Sequence, residues 1–97
     1  MLHVIVSEAE TPSASKYLQQ LCKHFAHKVP STWSTEAGAV EFPFGHCEMQ
    51  AADDRLSIRC STPDEGNLPR LQGVIDSHIA TFAFREKLQL QWRRETA

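Results

Sequence analysis

The chain has 97 residues, 41% of them hydrophobic and 23% charged, with a formal net charge of −2. That length suits one domain hiding roughly 60–70% of its unfolded surface, and the near-neutral balance argues against general nucleic-acid binding, which needs a dense cationic face. No apolar run nears the roughly 20 residues of a membrane span, Met1-Leu2-His3-Val4 lacks the regions of a signal peptide, and three widely spaced cysteines form neither a disulfide framework nor a CxxC zinc module.

In chain order, Leu2, Val4 and Val6 alternate with His3, Ile5 and Ser7, the pattern of a first strand. Thr11-Pro12-Ser13 stops it and opens a helix. From Ala14 the apolar positions are 14, 17, 18, 21, 22, 25, 26 and 29, which follow the helical period until Pro30. Short strands come next. Trp33 sits in the first, followed by a turn at Glu36-Ala37-Gly38. Val40, Phe42 and Phe44 then alternate with Ala39, Glu41 and Pro43, and Gly45 permits a turn or bulge. Cys47, Met49 and Ala51 alternate with His46, Glu48 and Gln50. Asp53-Asp54 marks a turn, and Leu56, Ile58 and Cys60 alternate with Arg55, Ser57 and Arg59. A second helix follows Ser61-Thr62-Pro63-Asp64, with a stripe of Leu68, Leu71, Val74, Ile75, Ile79 and Phe82. Its start is either Asn67, as a cap with Pro69 just inside, or Asp64. The last strand points Leu88, Leu90 and Trp92 inward and Gln89, Gln91 and Arg93 outward.

Nearly every strand has one apolar and one polar face, as in an antiparallel sheet with one side solvated. Each helix has a single apolar stripe. The expected fold is therefore α+β: a two-layer sandwich over 1–97, with a mainly antiparallel sheet, two helices on one face and the order β-α-β-β-β-β-α-β. The chain is read as cytoplasmic, with reduced thiols.

The stretches LCKHFAHKVP (21–30) with Trp33, EFPFGHC (41–47), Asp53 to Arg59, and SHIATFAFRE (77–86) running into LQLQW carry a resemblance over nearly the whole length. The chain resembles the bacterial domain of unknown function 2218 family. That resemblance implies the same element order and brings no established catalytic residues. Relatives of the domain occur attached to siderophore-interacting, flavin-dependent ferric reductases, which implies a link to iron handling. This chain has neither a reductase portion nor a nucleotide-binding glycine motif, so such a role would be an accessory one.

The candidate contact surface is the polar end of the first helix: Lys23, His24, His27 and Lys28. Three readings compete there. Cations in the last two turns of a helix are favoured by the dipole at about 0.3–1 kcal/mol each. The same cluster suits a small anion. His24 and His27, three apart and sharing a face, with His78 from the second helix, suit a transition metal. Against a metal, the helix also carries Lys16, Lys23 and Lys28 and no carboxylate. His78 itself reads as a packing residue with one ring nitrogen on backbone. Cys22, Cys47 and Cys60 read as small core residues. His46 and Cys47, adjacent in a strand, point to opposite faces and do not make a nucleophile and base without a bulge at Gly45. Arg55, Arg59, Gln89, Gln91 and Arg93, with Glu41 and Glu48, read as a solvated outer face or a protein-docking surface. Arg85-Glu86 are expected to anchor the exit of the second helix, while Asp53-Asp54 and Asp64-Glu65 read as turn and helix-start residues.

The expected function is thus a non-enzymatic binding or accessory domain whose partner is a protein or a small anionic ligand. The alternatives are a metal- or iron/siderophore-linked domain using His24 and His27, and a thiol enzyme using Cys47. A homodimer through an edge strand is compatible with a sheet that leaves two edges.

Overall fold

The computed structural model describes residues 2–95; Met1, Thr96 and Ala97, the ends of the domain expected over 1–97, lie outside the described residues. The elements are β1 (His3–Glu10), α1 (Ala14–Phe25), β2 (Ser31–Trp33), β3 (Ala37–Phe42), β4 (Gly45–Ala52), β5 (Arg55–Thr62), a short 3-10 turn (Glu65–Asn67), α2 (Leu68–Phe82) and β6 (Gln91–Glu95). This is the order expected from the alternation. All neighbours pair antiparallel, in the sheet order β2-β3-β4-β5-β1-β6.

That order explains why both helices share a face. With every neighbour antiparallel, β1 and β2 run parallel, and so do β5 and β6. Each parallel pair is linked by a helix. The β1-to-β2 crossover steps one way along the sheet, and the β5-to-β6 crossover starts from a strand of opposite sense and steps the other way. The right-handed rule for β-α-β connections sends both helices to the same side. The core forms there: Ile5, Val40, Cys47, Met49, Leu56, Ile58 and Cys60 from the sheet meet Leu18, Leu21 and Phe25 of α1 and Leu71, Ile75 and Ile79 of α2.

Local chemistry sets the boundaries. The β4–β5 hairpin turns on Asp53-Asp54, both in the left-handed region with φ 53° and 56°. This is the two-residue I′ geometry that fits strand twist, and aspartate tolerates it better than most residues. The β3–β4 loop is Pro43-Phe44, so Phe44 lies in the turn and not in the strand expected to hold it. Gly45 makes no bulge; it pairs with Phe42 and has a negative φ. It must be glycine because a Cβ there would lie 2.8 Å from the Ser61 carbonyl oxygen and 2.8 Å from a Leu71 methyl. The turn between β2 and β3 falls at 34–36, ahead of the expected 36–38, since Ala37 and Gly38 already pair with β4.

α1 ends earlier than expected, while α2 starts after Asn67 with Pro69 just inside, one of the two expected starts. α1 stops at Phe25 instead of running to Val29. Val29 precedes Pro30 and is disfavoured in helical backbone, so the chain tightens through His27 N–H to His24 C=O and Lys28 N–H to Phe25 C=O. The Ser31 hydroxyl donates to the Cys22 carbonyl at 2.8 Å and closes that end. At α2, Asn67 makes no side-chain cap. The Asp64 carboxylate instead accepts from Gly66 N–H at 2.9 Å, and the 3-10 turn leads into α2 with Pro69 in its first turn. The final strand begins at Gln91, although Leu88, Leu90 and Trp92 do pack against the core. The exit of α2 is held by Glu86, whose carboxylate accepts from the buried Thr11 hydroxyl at 2.8 Å.

Candidate functional site

The end of α1, the Pro43-Phe44 turn and the middle of α2 converge on one small cavity of about 250 Å³. It is lined by His24, Phe25, Lys28 and Val29, by Phe42, Pro43 and Phe44, and by Val74 and His78. Each element contributes for a reason already given. The tightened turn after Phe25 brings Lys28 and Val29 round to the helix end. The two-residue loop stacks Phe42 on Phe44 with ring centroids 5.1 Å apart and planes 16° apart. Val74 and His78, four apart in α2, share a helix face.

The walls are aromatic. Phe25 meets Phe42 edge-on at 5.0 Å and His78 at 4.8 Å. The Arg70 guanidinium lies over the Phe44 ring, 4.3 Å from its centroid, a cation–π contact worth roughly 0.5–1 kcal/mol at an exposed site. His24 and His78 approach with ring centroids 4.7 Å apart. His78 Nδ1 lies 2.6 Å from the Val74 carbonyl oxygen, the backbone bond expected of it, so a proton sits on Nδ1. Partial burial, then the neighbouring charges of His78, His27 and Lys28, pushes His24 below the usual histidine range. At neutral pH His24 is therefore mostly an uncharged donor and acceptor. Lys28 is the lining residue with a permanent charge, and among the described residues no carboxylate is in the walls.

Of the residues singled out from sequence, the structure brings His24, Lys28 and His78 to one cavity. Lys23 and His27 are exposed and are not among its walls. His27 sits in the turn beyond α1, with its N–H donating to the His24 carbonyl. Among the described residues, no group of three or more His, Cys, Asp or Glu side chains is arranged to hold a metal ion. The phenylalanine walls and Arg70 were not foreseen. The signal that could have found them is EFPFG, where two phenylalanines flank a proline in a segment too short for anything but a tight turn.

On the opposite face of the sheet, the charges pair among themselves. Arg55 bonds Glu8 at 3.1 Å and Glu10 at 3.4 Å, Arg59 pairs with Glu95, and His46 bridges Glu41 and Glu48. Exposed pairs of this kind contribute about 0–1 kcal/mol each and serve solubility. His46 is held on that face while Cys47 points into the core, fully buried, so the two are no catalytic pair. Among the described residues no helix is long and apolar enough to cross a membrane.

A family model described as an uncharacterized protein conserved in bacteria (DUF2218) matches residues 6–93. The chain is similar to the NMR structure of PA4090 from Pseudomonas aeruginosa, with 32% identity, a TM-score of 0.78, and coverage of 94% of this chain and 95% of that one. No curated protein matches.

Proposed function

The chain belongs to the DUF2218 family of bacterial proteins, and from that premise we propose that it is a non-enzymatic binding or accessory domain for a small anion with an aromatic body. The carrying observation is the cavity between α1 and α2, where phenyl rings form the walls and Lys28 supplies charge with no opposing carboxylate in the lining. Its volume of about 250 Å³ falls below the ~300–1,000 Å³ of ordinary ligand pockets. A ligand of one ring and one acidic group suits that space. The ring would lie against Phe42 and Phe25, and the acid would meet the Lys28 ammonium and the imidazole N–H of His24.

Benzoate is the probe. At about 0.3 kcal/mol per heavy atom it binds with a Kd on the order of 10 mM, a range that amide and side-chain NMR titration reads directly. Saturable shifts at Phe25, Val29, Phe42, Phe44 and His78 are expected, weakened several-fold by Lys28→Gln. Equal binding of benzyl alcohol would remove the anion from this reading, and shifts confined to another surface would remove the site.

A second reading, a metal- or iron-linked accessory role, is favoured by the 4.7 Å approach of His24 and His78. It is tested by the same titration with zinc and, anaerobically, ferrous iron. Saturable shifts limited to those two rings at stoichiometric metal would put it ahead of the anion.

A further inference from the structure

Two thiols at the centre of the sheet take no part in that site. Cys47 of β4 and Cys60 of β5 stand directly opposite one another. Both are fully buried, and their sulfurs are 3.5 Å apart, within reach of a thiol hydrogen bond. The hairpin loop explains the closeness. In a two-residue I′ hairpin the pair that closes the loop, here Ala52 and Arg55, exchanges both backbone hydrogen bonds, and bonded and non-bonded pairs alternate from there. Counting back, Ala51–Leu56, Met49–Ile58 and Cys47–Cys60 are the non-bonded pairs. Such pairs have Cα atoms about 4.5 Å apart with side chains drawn together. A disulfide spans Cα separations of about 4.4–6.8 Å. The backbone is therefore already within range, and the sulfurs need only approach by about 1.5 Å to reach a bond of about 2.05 Å. Cys22, the third thiol, is packed against Gly38 of β3 and lies opposite neither.

We propose that Cys47 and Cys60 are a two-electron redox site that closes to a cross-strand disulfide on reaction with hydrogen peroxide. Peroxide is chosen because both sulfurs are fully buried, so an oxidant close to water in size is favoured over a bulky disulfide. One thiol loses its proton, and its sulfur attacks a peroxide oxygen, breaking the O–O bond and releasing hydroxide, which leaves as water with that proton. The product is a sulfenic acid. The second thiol then loses its proton, and its sulfur attacks the sulfenic sulfur and expels hydroxide, which takes that proton as the second water. Two thiols and one peroxide give one disulfide and two waters, with the sulfurs oxidised by two electrons and the peroxide reduced by two. The Cys60 hydrogen bond and burial push the Cys47 thiol well up, so the first step is slow and waits on opening of the strands.

The folded protein is incubated with hydrogen peroxide, unfolded in the presence of N-ethylmaleimide, weighed and digested with trypsin, which cuts after Arg55 and Arg59 and so separates the two cysteines. The expected result is a loss of about 2 Da and a fall from three maleimide additions to one. A Cys47–Cys60 linked peptide should appear, Cys22 should carry the remaining label, and dithiothreitol should reverse the change. Cys22→Ser should keep the mass loss and Cys60→Ser should abolish it; if Cys60→Ser does not fold, the peptide map of the unaltered chain decides alone. Three additions after treatment, a linkage to Cys22, or sulfinic acid without linkage would each overturn the proposal.

Discussion

Replacing Gly45 by alanine tests whether close approach shapes this sheet. A Cβ built on the present backbone lies 2.8 Å from the Ser61 carbonyl oxygen and 2.8 and 3.1 Å from the two Leu71 methyls. The φ of Gly45 is not positive, so backbone conformation is no obstacle; the obstacle is space. Leu71 is fully buried, and the Ser61 oxygen belongs to a paired strand, so neither can yield without moving β5 or α2. Overpacking of this kind costs about 1–3 kcal/mol. Stiffening of the unfolded chain offsets about 0.4–1 kcal/mol of it. Gly45→Ala should therefore be about 1–2 kcal/mol less stable, a Tm lower by roughly 4–16 °C for a domain of this size. Gly73 is the internal control: it lies inside α2 with nothing within 4 Å of its Cβ position, and Gly73→Ala should gain about 0.5–1 kcal/mol. Urea unfolding followed by circular dichroism, with unchanged m-values, reads both. If Gly45→Ala matches the parent while Gly73→Ala gains as expected, the reasoning from close approach is refuted.

The Ser7 hydroxyl is fully buried and has no hydrogen-bond partner among the described residues, so Ser7→Ala should raise stability by about 1 kcal/mol in the same urea assay; a loss would show that the hydroxyl is bonded. His24 is held below its ordinary value of 6.5 by burial and then by His78, His27 and Lys28. The unfolded chain thus takes up the proton first, and this contribution is complete above pH 6.5 and is lost as pH falls through the lower folded value. Urea midpoints should therefore drop on acidification below that pH, and His24→Gln should drop less; identical pH profiles would remove His24 from the account. The Trp92 indole donates to the Asp76 carboxylate at 2.7 Å and ties β6 to α2. Trp92→Phe should cost about 0.5–1.5 kcal/mol beyond any packing change, read against Asp76→Ala in a double-mutant cycle, and zero coupling would mean that water replaces the bond at no cost.

Much of the fold was legible because most strands carry an alternation that survives into the structure. Val40, Cys47, Met49, Leu56, Ile58 and Cys60 point inward as their spacing requires. Helix ends were less legible because periodicity continues past them: Ala26 and Val29 fit the stripe of α1, yet Pro30 and the Ser31 hydroxyl end the helix at Phe25. Gly45 shows the same limit, since its sequence context suggests conformational freedom and the reason for it is a distant carbonyl. The candidate site was half visible. Charged and titratable residues on α1 stand out in one dimension, but the rings that face them come from a turn and from α2. Which of four basic residues meets those rings depends on how the chain tightens after Phe25.

The order of strands also bears on how the chain acquires its structure. β3, β4 and β5 are joined by tight hairpins and close at little entropic cost, whereas β1 fits between β5 and β6, pairing residue 3 with residue 62 and residue 4 with residue 95. During synthesis β1 therefore emerges ahead of both its partners and is enclosed on both edges only once they have arrived. Until β5 and β6 arrive, Val4, Ile5 and Val6 present an apolar segment with two open edges, the kind of interval in which strands join the wrong partner. Folding should be limited by the capture of β1, and amide exchange should be slowest at the β4–β5 pairing that can form without it.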